Sequence, residues 1–162
     1  MRLENKVTLV TGATSGIGEA ISELFAAEGA SMAIAGSSDL EKARKIACKI
    51  QSNGGTAQAY VGDLRDLSQI DKLVQEVKSS FGRIDILVNS AGLFYPTPMG
   101  QTTEADYDRM IDVNVKGTFF CINAVVPIMK AQGGGKIINL SSVCGVMGIG
   151  TYSAYCASKA GI

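Results

Sequence analysis

Between residues 7 and 18 the hydrophobic period of the sequence changes across a cluster of glycines, and few folds accommodate that change. Val7-Thr8-Leu9-Val10 is a short apolar, β-branched run with the composition of a buried strand. It leads into Thr11-Gly12-Ala13-Thr14-Ser15-Gly16-Ile17-Gly18, after which Ile17, Ala20, Ile21, Leu24 and Phe25 recur at helical spacing as far as Gly29. Glycines placed between a strand and a helix permit a tight turn and bring backbone N–H groups close to a phosphate at the helix N-terminus. The competing phosphate cradle, the P-loop, needs a Gly-Lys-Ser/Thr closure that this turn lacks. The stretch therefore predicts an α/β unit that binds a nucleotide.

The remaining chain repeats the alternation. Residues 32–35 read as a second strand, followed by Leu40, Ala43, Ile46, Ala47 and Ile50 at helical spacing and a Gly54-Gly55 stop. Residues 57–61 read as a third strand leading into Gly62-Asp63-Leu64, and Ile70, Leu73, Val74 and Val77 mark a helix closed near Gly82. Residues 84–88 form a fourth strand, near-continuously apolar as a strand covered on both faces should be, ending at Asn89-Ser90-Ala91-Gly92. After a loop containing Pro96 and Pro98, Thr103 offers an N-cap to a helical pattern that runs to Met129, bends at Pro127 and contains Asn114. Gly133-Gly134-Gly135 ends it, residues 136–140 form a fifth strand, and Ser141-Ser142 stands at that strand's carboxyl end. Strands alternating with helices predict a single domain with a parallel sheet and right-handed crossovers.

Composition narrows the chemistry. Fifteen Lys and Arg balance fifteen Asp and Glu, so no electrostatic signal points to nucleic acid or an anionic membrane. The chain has no histidine, which removes Ser/His and Cys/His nucleophile systems, and its four cysteines form no CxxC pair, so metal sites and disulfide frameworks are not expected. The N-terminus lacks a signal-type apolar region and no stretch approaches the length of a membrane span, so a soluble, cytoplasmic protein is expected. Acid–base work then falls to Tyr, Lys, Asp or Glu. Tyr155 and Lys159 are four residues apart, on one face of a helix. An ammonium about 4 Å from a phenolate, at an effective dielectric of about 20, is worth about 4 kcal/mol. That is enough for a phenol so placed to exchange its proton near neutral pH.

With these motifs in sequence, the chain resembles the short-chain dehydrogenase/reductase family from about residue 3 onward. Thr11-Gly12-x-x-x-Gly16-Ile17-Gly18 matches its glycine motif, Asp63 its adenine-contacting acid, and Asn89-x-Ala91-Gly92 its NNAG signature, with Ser90 replacing one asparagine. Asn114, Ser142, Tyr155 and Lys159 match its catalytic tetrad in order. The resemblance implies a Rossmann-like, doubly wound sheet in the order 3-2-1-4-5 with helices on both faces, and an NAD(P)-dependent oxidoreductase acting on an alcohol or ketone. It assigns Tyr155 as general acid or base, Lys159 to the tyrosine and the nicotinamide ribose, Ser142 to the substrate oxygen, and Asn114 to a water linking Lys159 to solvent. Ser142 is chosen over Ser141 because it lies thirteen residues before Tyr155, the family's separation. Cofactor contacts fall to Gly12, Ser15, Gly16, Ile17, Gly18, Ser37, Asp63, Leu64, Asn89, Ala91 and Gly92, together with Tyr155 and Lys159.

Two further expectations follow from the resemblance. Gly36 stands where NAD-preferring relatives carry an aspartate, while Ser15 and Ser37 occupy positions often basic in NADP-preferring ones; the balance favours NADP, with Ser37 and Lys42 as contacts. Family members are longer and homo-oligomeric, so the single domain is expected to lack the last strands, leaving the fifth strand as an open edge. A dinucleotide-binding module without turnover, or a non-catalytic fragment, is the alternative reading. The segments 93–95 and 143–149 are mostly apolar and free of Arg and Lys, so they are expected to line a pocket for a small neutral or apolar alcohol or ketone.

Overall fold

The computed structural model describes residues 1–162. Its elements follow in order: β1 (Val7–Thr11), α1 (Gly16–Ala27), β2 (Ser31–Gly36), α2 (Leu40–Ser52), β3 (Thr56–Val61), α3 (Leu67–Phe81), β4 (Ile86–Asn89), α4 (Glu104–Ile111), a π-helical segment (Asp112–Gly117), α5 (Thr118–Ala131), β5 (Lys136–Asn139), a 3-10 turn (Val143–Gly145) and α6 (Ser153–Gly161). The strands form one parallel sheet in the order β3-β2-β1-β4-β5, as the resemblance implied.

Strand alternation sorts the core into two halves. Leu9 lies beside Ala33 and Leu87 in the ladder, and all three face Leu73, Val74 and Val77 of α3 and Cys121 and Val125 of α5. Their neighbours Val10, Ile34 and Val88 point the other way, against Ala43, Ile46, Ala47 and Ile50 of α2 and the flank of α1. Burying a Leu or Val side chain contributes about 1.5–3 kcal/mol. The sheet is therefore held from both faces, which is why β1, β2 and β4 read as unbroken apolar runs.

Local signals place the helix ends. Asp39, Asp66 and Thr103 each accept a first-turn N–H, and Gly82 ends α3 with a left-handed φ of 77°. The fourth strand begins two residues later than its apolar run suggests. The backbone of Ile84 is instead bonded by the Gln132 side-chain amide, and the Asp85 carboxylate accepts the N–H of Val7. β5 is an open edge with Ile138 42% exposed, as expected for a fifth strand with nothing beside it.

One expectation is corrected. α4, the π segment and α5 form a continuous 28-residue helix that is apolar and long enough, by length and composition alone, to cross a membrane. Its charges gather in the first half, at Glu104, Asp106, Asp108, Arg109 and Asp112, and residues 113–129 carry only Lys116. The helix buries Met110, Asn114, Gly117, Thr118, Cys121, Val125 and Met129, the stripe it lays on the protein. Pro127 lies inside α5, and the departure from α geometry falls at residues 112–117, around Asn114.

Candidate active site

The glycine turn is built by contact rather than by flexibility alone. Gly12 has a φ of +65°, and a Cβ there would lie 2.6 Å from the Cα of Ala91, so the turn packs directly onto the chain leaving β4. A Cβ at Gly18 would lie 2.3 Å from the carbonyl oxygen of Gly12, so α1 starts against the turn itself. Ser15 precedes α1 in extended geometry and places no side-chain cap on its first turn, leaving those N–H groups without a side-chain partner.

From this turn a cleft of about 630 Å³ runs across the carboxyl ends of the strands, where open α/β sheets bind ligands. Gly12, Ser15, Gly16, Ile17, Ser37, Asp63, Leu64, Ala91, Gly92, Tyr155 and Lys159 all stand on its wall. The carboxylate of Asp63 is gripped by the Arg65 side chain and backbone, which together hold it below the usual carboxylate range. Asn89, Gly18, Asn114 and Ser142 lie outside the wall. Asn89 is buried and donates to Asn139 at 2.9 Å, tying β4 to β5.

Tyr155 and Lys159 share a face of α6. The Lys159 ammonium donates to the Leu140 carbonyl at 2.7 Å and lies 5.8 Å from the centre of the Tyr155 ring. Lys159 is only 7% exposed, and burial pushes its ammonium below the ordinary lysine value. Gly92 opposes it: a Cβ there would lie 3.7 Å from the ammonium and 3.5 Å from Asn114 Oδ1, ordinary contact distances that put this backbone beside both side chains. Phe94 meets the Tyr155 ring edge-on at 4.8 Å and stacks on Tyr152 at 4.5 Å.

Asn114 serves this wall from behind. Its Oδ1 accepts from the Leu93 N–H at 2.7 Å, while its Nδ2 donates to the Leu93 carbonyl at 3.1 Å and to Ser158 Oγ at 3.0 Å. The side chain thus clamps the loop after β4 to the helix of Tyr155 and Lys159. The π turn around it aims the amide inward.

A comparison with known families decides what this arrangement belongs to: the short chain dehydrogenase pattern matches residues 6–162. The chain is a member of the short-chain dehydrogenase family. It is 47% identical over its whole length to a galactitol 2-dehydrogenase of Agrobacterium fabrum and covers 62% of that relative. It is 43% identical to a 3-oxoacyl-(acyl-carrier-protein) reductase of Thermotoga maritima, covering 65% of it, and 44% identical to a sorbitol dehydrogenase of Cereibacter sphaeroides, covering 62%. This short-chain dehydrogenase chain therefore spans less than two thirds of the length of these relatives.

Within the family frame, several expectations need adjustment. Of the two apolar segments expected to line the pocket, Leu93 and Phe94 reach the wall, whereas residues 143–149 do not. Their 3-10 turn buries Cys144 and leaves Val143, Val146 and Met147 turned outward. Lys42 is also off the wall, 3.8 Å from Asp39 at the start of α2. Ser141, not Ser142, lines the cleft, but the Ser141 hydroxyl donates its one proton to the Lys159 carbonyl at 2.8 Å. Ser142 Oγ accepts from the Cys144 N–H at 3.2 Å and keeps its own proton to donate. Both serines lie beyond β5, which ends at Asn139.

Sequence reasoning missed four participants. Arg65 and Arg109 stand on the wall, and nothing in the pattern of a charged surface residue marks them. Ser158 is hidden on the buried face beside Lys159. Thr97 sits between two prolines in an aperiodic loop and carries no local signal.

Proposed function

We propose that this chain belongs to an NAD(P)-dependent oxidoreductase that moves a hydride between a nicotinamide and a small neutral alcohol or ketone. The observation that carries this reading is the placement of Tyr155 and Lys159 on one helix face at the end of a cleft that begins at the glycine turn. The residues present fit the cofactor. Gly12 and Gly18 allow the tight turn to pack against Ala91 and onto itself, and the first turn of α1 offers N–H groups without a side-chain cap to a pyrophosphate.

When bound, the nicotinamide supplies or accepts the hydride. In reduction the Tyr155 hydroxyl gives its proton to the substrate oxygen, and in oxidation the tyrosine oxygen removes one. The Lys159 ammonium, only 7% exposed and anchored on the Leu140 carbonyl, stabilises negative charge on that oxygen while the proton is away. Lys159 also holds the nicotinamide ribose, and Ser142, which stands just off the cleft wall with its proton free, is the donor to the substrate oxygen once substrate is bound. Asn114 ties the loop at Leu93 to Ser158, the residue preceding Lys159 on α6.

NADP is the favoured form. No carboxylate stands at Gly36 to repel a 2′-phosphate, and Ser15 and Ser37 present hydroxyls to that end of the cleft. The names of the relatives, galactitol and sorbitol dehydrogenases, direct the substrate search to polyols and their ketones. All four cysteines are free, which suits the reducing cytoplasm.

The test is a nicotinamide-absorbance assay over polyols and ketones, with cofactor affinity measured by calorimetry. Tyr155→Phe is expected to lower kcat by about 100-fold or more while cofactor Kd stays within about twofold. Retained turnover in that variant would overturn the reading. Cofactor binding without hydride transfer in the unaltered chain would instead identify a binding module.

A further inference from the structure

The helix that carries Tyr155 does not cap itself. Its N-cap residue, Tyr152, offers no side-chain bond to the first turn. Thr151 before it holds a φ of 68°, a left-handed geometry that β-branched residues rarely adopt.

A residue distant in sequence holds this helix start. Thr97 is 1% exposed, and its N–H donates to the Thr151 carbonyl at 2.6 Å. Its own carbonyl accepts from Ser153 Oγ at 2.6 Å, and its Oγ1 accepts from the Ala154 N–H at 3.0 Å. Ala154 is the second residue of α6, so its N–H is one of the donors that an N-cap side chain normally satisfies. Pro96 and Pro98 flank Thr97, limiting the backbone on both sides. The same loop carries Phe94, which touches the Tyr155 ring.

We propose that Thr97 is a positioning residue for proton transfer: it caps the tyrosine helix in trans and so fixes the Tyr155 hydroxyl relative to Lys159. This rests on Tyr155 being the proton-transfer residue, as proposed above. Tyr155 immediately follows the capped residue, in the turn that frays first. Lys159 lies one turn further on and is anchored separately to Leu140. Loss of the cap therefore displaces the tyrosine while the lysine and the cofactor cradle at α1 remain in place.

Thr97→Val keeps the side-chain shape and removes Oγ1, whereas Thr97→Ser keeps the hydroxyl. Thr97→Val is expected to lower kcat about tenfold, the scale of a lost cap, with substrate KM and cofactor Kd within about twofold of wild type. Thr97→Ser should restore kcat. Unchanged kcat in Thr97→Val at a temperature where the protein is folded, or equal losses in both variants, would overturn the proposal.

Two readouts need no turnover and separate this proposal from the functional reading. Amide exchange at Ala154 should be about tenfold faster in Thr97→Val, and the nuclear Overhauser contact between the Phe94 and Tyr155 rings should weaken. Both should be restored in Thr97→Ser. If the unaltered chain turns over no alcohol or ketone, the functional reading fails while these two measurements still decide the cap. Wild-type exchange and an intact ring contact in Thr97→Val would refute it.

Discussion

Replacing Asn114 with alanine tests whether a fully buried amide holds the site together. Asn114 has no exposed surface, and its side chain makes three hydrogen bonds to oxygen or nitrogen partners, two with the backbone of Leu93 and one with Ser158. A typical hydrogen bond contributes about 0.5–1.5 kcal/mol net, so three amount to roughly 3 kcal/mol. A chain of this size loses about 2–4 °C of Tm per kcal/mol, which predicts a fall of roughly 6–12 °C in Asn114→Ala. Thermal unfolding followed by circular dichroism and calorimetry measures it. Asn114→Asp sharpens the test by turning the donor that faces the Leu93 carbonyl and Ser158 Oγ into an acceptor. At neutral pH it should destabilise at least as much as alanine, and part of the loss should return as the pH falls and the carboxyl regains a proton to donate. A Tm within about 2 °C of wild type for Asn114→Ala would refute the reasoning, because the clamp between Leu93 and Ser158 would then hold nothing.

Two other perturbations probe the ends of the cleft. Burial lowers the Lys159 pKa below 10.5, so between the folded value and 10.5 the unfolded chain binds more protons and stability rises with pH. Urea unfolding as the pH is raised through that window should show this rise in the wild type and its absence in Lys159→Met, which should also lose turnover. Gly12→Ala combines a positive φ with a Cβ 2.6 Å from the Cα of Ala91; it should cost about 1–3 kcal/mol in strain alone and abolish measurable dinucleotide binding by calorimetry.

Many side chains of the site are legible in the sequence because their signals are local. The period change at Gly12 to Gly18 and the four-residue spacing of Tyr155 and Lys159 depend on residues within one turn or one strand of each other. Asn114 is recognisable only by its place in a series of motifs, since a mid-helix asparagine alone predicts nothing. Its partners are 21 and 44 residues away. The place of β5 at the end of the strand order follows from the family pattern, whereas the π-helical break at Asp112–Gly117 leaves no mark in the hydrophobic period.

The sequence by itself determined the alternation of strands and helices, the glycine turn between β1 and α1 and the lineage, because backbone sterics and hydrophobic period act over a few residues. Only the tertiary structure decided which serine keeps a proton to donate, that Asp63 is held by Arg65, and that Lys159 is anchored on Leu140. It also decided that the tyrosine helix is capped by Thr97, more than fifty residues away. Asp63–Arg65 and Ser142–Cys144 are contacts over two residues, set by side-chain orientation, whereas the Ser141–Lys159, Lys159–Leu140 and Thr97–Ser153 bonds join segments at least 18 residues apart. Such bonds form once the sheet has brought the carboxyl ends of its strands together, and they leave no periodic trace in the chain.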